Sequence, residues 1–320
     1  MDKMKQWLLL FLKGMAMGAA DVVPGVSGGT IAFISGIYEE LLDSIRSINL
    51  HALKVLKSEG LAKFWQAING NFLLVLFGGI VFSIASLAKL VSYLLAEQPI
   101  LIWSFFFGLI VASIIYIFRQ LPHLRWQEWV GLWTGTIVAL AVSFAPRIQG
   151  SDDLFVLFCA GAVAICAMIL PGVSGSFILL LLGVYPIVIG AISEFNWQIL
   201  LVFVLGCGCG LLAFSRVLSW LLHRYHSVTI AVLTGFLLGS LLIVWPWKES
   251  LEVILDHKGR EIALSHGLLM PNQFGEVTGL DPKTWAAVGC MLAGLCIVLA
   301  LEYIGSLHKQ VNKDKTQNRL

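Results

Sequence analysis

This 320-residue chain contains six long apolar stretches that end at or next to a charged residue or a proline and carry no charge themselves, with 18 to 40 residues each: 98–118, 129–146, 154–193, 195–215, 225–247 and 284–301. Five of them have 18 to 23 residues, and a helix needs about 20 apolar residues to cross the hydrocarbon core of a bilayer. The sixth, 154–193, is long enough for two crossings and carries Pro171-Gly172 near its middle. A further apolar stretch, 71–96, has Lys89 as its only charge. The chain is therefore predicted to be an all-α membrane protein with several spans.

Composition supports this prediction and excludes other classes. Charged residues make up 12% of the chain, whereas a soluble domain carries about 25%. Mean hydropathy is +0.87. These values exclude a soluble enzyme, a nucleic-acid-binding protein and a disordered chain. No histidine has the spacing of a metal ligand, so we predict no metal site and no cofactor.

The basic residues predict the orientation. With the N-terminus in the cytoplasm, five of the 21 Lys and Arg fall in outer segments and three in apolar segments. The other thirteen fall in inner segments, as the positive-inside rule requires: Lys3, Lys5, Arg46, Lys54, Lys57, Lys63, Arg119, Arg125, Arg224, Lys309, Lys313, Lys315 and Arg319. Both termini are therefore predicted to be cytoplasmic, and residues 248–283 to form a solvated extracytoplasmic loop.

The chain also contains an internal repeat. Pro24-Gly25-Val26-Ser27-Gly28 recurs 147 residues later as Pro171-Gly172-Val173-Ser174-Gly175. The same offset aligns Ile31 with Ile178, Gly36 with Gly183 and Tyr38 with Tyr185. An insertion around His51–Gly70 then shortens the offset to 127, which aligns these pairs: Gly79 with Gly206, Lys89 with Arg216, Ser92 with Ser219, Gly108 with Gly235 and Ser113 with Ser240. Trp126 with Trp285 and Gly135 with Gly294 align more weakly. We predict one membrane domain over 1–320, with repeats over 7–147 and 154–304.

Each repeat is predicted to be a PGVSG helical hairpin followed by three transmembrane helices. After the first motif, nine residues (30–38) precede Glu39-Glu40, and nine helical residues rise about 14 Å, less than half of the core. The first hairpin is therefore expected to be re-entrant. The second has arms of 17 and 18 residues, 154–170 and 176–193, and is compatible with either arrangement. An odd number of crossings per half inverts the second repeat, as in secondary transporters with broken helices.

The motif offers an anion site. Proline ends the incoming helix, glycine permits close backbone approach, and Ser27 or Ser174 can cap the outgoing helix. Free backbone N–H groups at the tip then favour a negative charge. The alternative is a helix break with only a structural role. The candidate binding residues are Pro24, Gly25, Ser27, Gly28, Gly29, Thr30, Pro171, Gly172, Ser174, Gly175 and Ser176.

Charged residues within apolar segments complete the candidate site. Lys89 and Arg216 occupy equivalent positions, and two inverted cations could hold one anion from either side. Alternatively, both side chains reach the membrane interface. Asp21 aligns with Met168 in the second repeat and is a candidate for carrying a proton or for pairing with Lys13. Glu39 is a second candidate for coupling, or simply an interfacial residue.

The stretch 14–30 (GMAMGAADVVPGVSGGT), together with 170–176 (LPGVSGS), resembles the bacterial polyprenyl-phosphate transporter family, long known only as a domain of unknown function. The resemblance covers residues 7–304 and points to Asp21, 24–30 and 171–176. It implies a flippase of the bacterial plasma (inner) membrane that returns undecaprenyl phosphate, the lipid carrier of cell-wall and surface-glycan synthesis, from the outer to the inner leaflet. The expected partners are this lipid and the membrane lipids, with a homo-oligomer left open and no nucleic acid.

The expected flippase would work by alternating access of the two hairpins. Two other functions are alternatives to it. An intramembrane polyprenyl-pyrophosphate phosphatase would carry an arginine where Gly28 and Gly175 stand, and its paired glutamates would precede the motif, whereas Glu39-Glu40 follow it. Cleavage needs a clamp for developing charge, which these residues do not supply, so the chain is not expected to be an enzyme. A carrier of a small soluble anion is the other alternative.

Overall fold

The computed structural model describes residues 3–23, 26–120, 125–146, 148, 150–255 and 261–317. The helices of the first half are α1 (Lys3–Asp21), α2 (Gly28–Ile34), α3 (Tyr38–Arg46), α4 (Leu50–Glu59), α5 (Leu61–Ala67), α6 (Gly70–Glu97), α7 (Pro99–Gln120) and α8 (Trp126–Ser143). The second half contains α9 (Leu154–Ile169), α10 (Gly175–Leu181), α11 (Tyr185–Ser193), α12 (Trp197–Arg224), α13 (His226–Ser240), β1 (Lys248–Leu255), β2 (Glu261–Leu268), α14 (Pro271–Thr278) and α15 (Thr284–Gln317). The predicted helical membrane protein is confirmed, with one added β-hairpin.

Three helices of the described part are long and apolar enough to cross a membrane. The spans lie in α6, α7 and α12, at Gly70–Leu87, Pro99–Arg119 and Trp197–Arg224. Counting the bent pair α10–α11 as one span gives four. Helices α9, α13 and the first part of α15, Thr284–Ala300, are apolar but shorter. The larger number of crossings expected from the uncharged stretches stays a prediction.

The long helices pack in pairs that follow the sequence repeat. Helix α1 packs on α6, and its counterpart α9 packs on α12. Likewise α7 packs on α15, while α13 packs on α8. Each half therefore builds the same kind of pair at its hairpin, whereas the other two pairs each join one helix from each half.

Glycines allow the closest helix approaches, and these contacts repeat as well. At each of eight positions, a Cβ atom would collide with a backbone carbonyl oxygen of the facing helix. The contacts, each with its counterpart, are Gly14–Leu76 and Gly161–Phe203, Gly79–Phe11 and Gly206–Phe158, Gly108–Met291 and Gly235–Leu132, and Gly294–Phe105 and Gly135–Val232. Small residues at such crossings are typical of membrane helix pairs. The weak alignment of Gly135 with Gly294 is therefore matched in three dimensions.

Both hairpins break a second time after the motif. Gly36 and its counterpart Gly183 have positive φ, 71° and 68°, and separate α2 from α3 and α10 from α11. The second arm, treated above as an uninterrupted 18-residue segment, is thus two helices at 107°. The main-chain N–H of Ile148 donates to Leu181 O (2.7 Å) beside this turn, and a Cβ at Gly183 would collide with Gly150 N. The close approach of Ile148 and Gly150 and the glycine conformation explain the break.

The described part of the 248–283 segment contains two strands and a short helix, and its placement outside the membrane stays a prediction. Strands β1 and β2 pair antiparallel, and α14 follows. Trp247 is buried with Phe274 and Ile100, and its indole N–H donates to Pro282 O (2.8 Å). Phe274 of this segment and the adjacent Trp247 thus pack on the first turns of α7 and α15.

Candidate functional site

The two PGVSG tips contact each other, and Val26 and Val173 belong to one buried hydrophobic cluster. Thr30 Oγ1 accepts a hydrogen bond from the main-chain N–H of Gly172 (2.9 Å), and Ser27 Oγ donates to Met168 O (2.6 Å). The side chains of Ser27 and Thr30 are fully enclosed, with 1% and 0% of their surface exposed. The structure therefore brings together predicted residues of both repeats.

The close approach of the two tips to their neighbours requires glycine, which has no side chain, at positions 29 and 172. A Cβ on Gly29 would lie 2.9 Å from Met168 O and would also collide with Ile169 O. A Cβ on Gly172 would lie 2.7 Å from Phe236 O in α13. The first tip thus lies against the end of α9, and the second tip against α13.

Tyr38 adds a contact that the sequence argument missed. Its hydroxyl donates to Ile169 O (3.0 Å), although Tyr38 lies on α3, after the second break of the first hairpin. The side chain is buried. Its alignment with Tyr185 was a signal of the repeat, but sequence equivalence does not show what a side chain contacts.

At the first tip, two main-chain N–H groups are already bonded to nearby side chains of the same hairpin. The main-chain N–H of Gly28 donates to Asp21 Oδ1 (2.6 Å), and that of Gly29 donates to Ser27 Oγ (3.0 Å). Lys13 donates to Ser35 O (2.7 Å), so within the described contacts it does not pair with Asp21. The carboxylate of Asp21 therefore holds the place that an incoming anion would need at this tip.

The second tip differs from the first, because Met168, the counterpart of Asp21, has no carboxylate to accept hydrogen bonds from the tip. Ser174 makes no capping hydrogen bond, and its hydroxyl lies 2.9 Å from that of Ser176, which is exposed. Gly175 lies close to Ala164 O, at 2.7 Å from a would-be Cβ. This tip borders a cavity lined by Ala139, Val142, Ser143, Gly172, Val173, Ser174, Phe177 and Ile243.

Lys89 and Arg216 do not meet the tips in this conformation. Both residues are exposed. Arg216 Nη2 donates to Ile48 O (3.3 Å), and Lys89 has no hydrogen bond or ion pair among the described contacts. Their predicted role in holding the anion stays a prediction.

Glu39 takes part in a polar cluster between α3 and the junction of α12 with α13. His226 Nε2 lies 3.0 Å from Glu39 Oε1, and His223 lies 3.6 Å from Asp43. Asp43 Oδ1 also accepts a hydrogen bond from the buried hydroxyl of Ser219 (2.6 Å). These contacts tie the far end of the first hairpin to the second repeat.

Two predicted site residues, Pro24 and Gly25, lie outside the described residues, whereas Pro171 is fully buried. Within the described part of the chain, no group of three or more His, Cys, Asp or Glu side chains is placed to hold a metal ion.

Comparison with known proteins gives the family. Residues 17–262 match the VCA0040-like family, described as undecaprenyl phosphate translocase-like. A Vibrio cholerae protein named polyprenyl-phosphate transporter is 50% identical over 301 residues, which cover 94% of this chain and 97% of that protein. A Staphylococcus aureus protein with the same name is 32% identical over 277 residues, covering 78% and 93%. No solved structure matches. The chain therefore belongs to the VCA0040-like, undecaprenyl phosphate translocase-like family.

Proposed function

We propose that this protein is a transporter that returns undecaprenyl phosphate from the outer to the inner leaflet of the bacterial plasma membrane. The names of its relatives and of its family support a polyprenyl phosphate as the transported lipid. The direction and the mechanism are our inference from the two hairpins.

The contact between the two tips is the observation that carries the mechanism. Three hydrogen bonds hold them together: Gly172 N–H to Thr30, Ser27 to Met168 O and Tyr38 to Ile169 O. Each such bond contributes about 0.5–1.5 kcal/mol net, so separating the tips costs about 2–4 kcal/mol in hydrogen bonds. Conformations separated by a few kcal/mol interconvert readily, and a ligand can shift their populations. The tips can thus part alternately toward the two sides.

The phosphate head group needs hydrogen-bond donors at the tips. At the second tip, the hydroxyls of Ser174 and Ser176 bond only to each other in the described contacts and are free to reorient toward a phosphate. At the first tip, Asp21 occupies the N–H of Gly28. A phosphate reaching that tip must therefore displace the Asp21 carboxylate or meet it protonated, which gives Asp21 a coupling role.

The cations and the tail have separate places in this mechanism. Lys89 and Arg216, exposed on α6 and α12, attract the anionic lipid before it reaches the tips. The polyprenyl tail stays in the lipid, so only the head group passes between the hairpins. Glu39, already paired with His226, stabilises the end of the first hairpin.

Reconstitution tests the proposal. Full-length protein in liposomes should speed the movement of undecaprenyl phosphate between leaflets, with little effect on undecaprenol, which lacks the phosphate. No acceleration under any proton or sodium gradient contradicts the proposal. Release of phosphate from undecaprenyl pyrophosphate would instead support an enzyme, and equal transport of inorganic phosphate would support a soluble-anion carrier.

A further inference from the structure

The two repeats correspond in sequence but do not pack on each other in the same way. Helix α3, the last helix of the first hairpin, packs on α12 of the second repeat. Its counterpart α11, the last helix of the second hairpin, packs on α12 of its own repeat. Within the described residues, α11 makes no comparable contact with α6, which is the counterpart of α12. The first hairpin is therefore docked across the repeats, and the second is not.

This difference has a meaning in a transporter built from inverted repeats. Such proteins alternate their access by moving one repeat against the other around a fixed site. Because the two halves share one fold in opposite orientations, the opposite end state should have the reverse contacts, with α11 docked on α6 and α3 released from α12. A structure with only one hairpin docked across the repeats then corresponds to one end of the cycle.

The residues of the two docking helices also differ. Helix α3 carries three acidic residues and one basic residue, whereas α11 carries no charged residue. At the repeat offset of 147, Asp43 corresponds to Gly190 and Arg46 to Ser193. The first hairpin alone therefore has charged side chains in its last helix with which to dock on the other repeat.

The buried hydroxyl of Ser219 in α12 joins two of these side chains. It donates a hydrogen bond to Asp43 Oδ1 (2.6 Å) and accepts one from Arg46 Nη1 (3.0 Å). Only 1% of the Ser219 surface is exposed. Both bonds involve an ionised partner, and hydrogen bonds of this kind are stronger than those between neutral groups. One serine of the second repeat thus holds an anion and a cation of the first.

The two histidine pairs beside Ser219 lie nearer the surface. His226 pairs with Glu39 and His223 with Asp43, and both histidine side chains are more than half exposed. Ion pairs in water contribute little to stability, because the solvent weakens the attraction and ordering two side chains costs entropy. The two bonds of the buried Ser219 hydroxyl are therefore the polar contacts that hold α3 on α12 most firmly.

We propose that the structure is the state in which the first hairpin is closed on α12, and that Asp43, Arg46 and Ser219 form the gate that keeps it closed. The inference rests on the proposed function, because it names the residues that must part before a head group passes between α3 and α12. After release, Asp43 and Arg46 lie three residues apart on one helix and can pair with each other. The distribution of basic residues, which includes Arg46 and Arg224, predicts that this gate faces the cytoplasm.

Distances between spin labels test the gate without measuring transport. In full-length protein whose six native cysteines have been replaced, Leu50→Cys and Val217→Cys place labels at exposed positions on the gate side. Trp197→Cys and Leu90→Cys, also exposed, are the corresponding pair at the offsets of 147 and 127. In detergent we expect a short distance for the gate pair and a longer one for the corresponding pair.

Ser219→Ala should open the gate in part of the molecules. The fraction with a long gate distance should rise about fivefold, which is the ratio that one hydrogen bond of average strength is worth, and the corresponding pair should shorten in the same fraction. Arg46→Met, at an exposed position where folding is less affected, should act in the same direction. Ser215→Ala is the matched control, because Ser215 is also buried in α12 but donates to Leu212 O in its own helix.

The outcomes separate the gate from the proposed function. Unchanged gate distances in both Ser219→Ala and Arg46→Met, or an equal change in Ser215→Ala, would overturn the gate, while transport of undecaprenyl phosphate by the wild type would still support the proposed function. A longer gate distance without shortening of the corresponding pair would overturn the assignment of the structure to one end of the cycle. If the two pairs respond oppositely but the wild type moves no lipid, the gate stands and the proposed function fails.

Discussion

The hydroxyl oxygen of Thr30 accepts a hydrogen bond from the main-chain N–H of Gly172, a residue 142 positions later in the chain. Thr30 lies two residues after the first PGVSG motif and Gly172 lies within the second, so this bond joins the repeats directly. Buried N–H groups are costly when unpaired. The bond therefore favours the conformation in which the tips touch.

Thr30→Val should weaken that conformation. Valine keeps the shape but removes the acceptor, which leaves the N–H of Gly172 unpaired at a cost of about 1–3 kcal/mol. We expect a lower melting temperature in detergent and a changed transport rate. Thr136→Val is the control, because Thr136 is also buried but bonds only to Leu132 O in its own helix. Equal effects of the two variants would contradict a special role for the contact between the tips.

The repeated glycine contacts predict paired effects of substitution. Gly79→Ala and its counterpart Gly206→Ala should each destabilise the protein by about 1–3 kcal/mol, because each added Cβ meets a carbonyl oxygen. Gly78→Ala and Gly208→Ala are controls on the same helices, since nothing lies within 4 Å of their added Cβ. Thermal unfolding in detergent measures all four. Similar melting temperatures for contact and control variants would refute these helix crossings.

Asp21→Asn tests the coupling role. The amide oxygen can still accept from Gly28 N–H, so the tip should keep its shape, but the side chain no longer takes up a proton. We expect transport by this variant to lose its response to a proton gradient while lipid binding persists. Glu39→Gln, at the exposed pair with His226, is the control. A normal gradient response in Asp21→Asn would exclude Asp21 as the coupling residue.

Lys248, the partly buried first residue of β1, should make the stability of the protein depend on pH, because desolvation lowers the pKa of its ammonium. Its pKa is about 7 in the folded protein and near 10.5 when unfolded, so between these values the unfolded chain binds more protons. The free energy of unfolding should therefore rise with pH from about 7 to 10, by at most about 1.4 kcal/mol per pH unit. Lys248→Met should lack this rise. Lys283, whose ammonium donates to Gln98 Oε1 (2.6 Å), is the control, and Lys283→Met should follow the wild type. Parallel curves for wild type and Lys248→Met would show that the lysine is not desolvated.

The sequence predicted which residues of the two repeats correspond to each other better than it predicted which residues lie close together. Thr30 and Gly172 were both candidate residues, because Gly172 lies in the second copy of the motif and Thr30 lies two residues after the first copy. Their hydrogen bond could not be predicted, since a repeat offset says which positions correspond and not which ones touch. The break at Gly183 could have been inferred from its counterpart Gly36, because both glycines align at the offset of 147.

The positions of the charged side chains in the fold were harder to predict from the sequence. The equivalence of Lys89 and Arg216 suggested that both face an anion, but the side of a helix on which a residue lies depends on the neighbouring helices. Nothing in the sequence distinguishes Lys248 from other surface lysines, because it borders a charged segment. Its ammonium lies over the ring of Trp103, which is 145 residues away in sequence and is brought near only by the fold.

The most direct test of the account is to prevent the two tips from separating. Ser27→Cys and Met168→Cys, placed where a hydrogen bond of 2.6 Å joins the two hairpins, would be introduced after replacing the six native cysteines. A short, cleavable thiol cross-linker would then link them in proteoliposomes, with each single variant and the unlinked double variant as references. We predict that linking stops the movement of undecaprenyl phosphate between leaflets and that cleavage restores it. Undiminished movement with the tips linked would contradict the alternating separation of the hairpins.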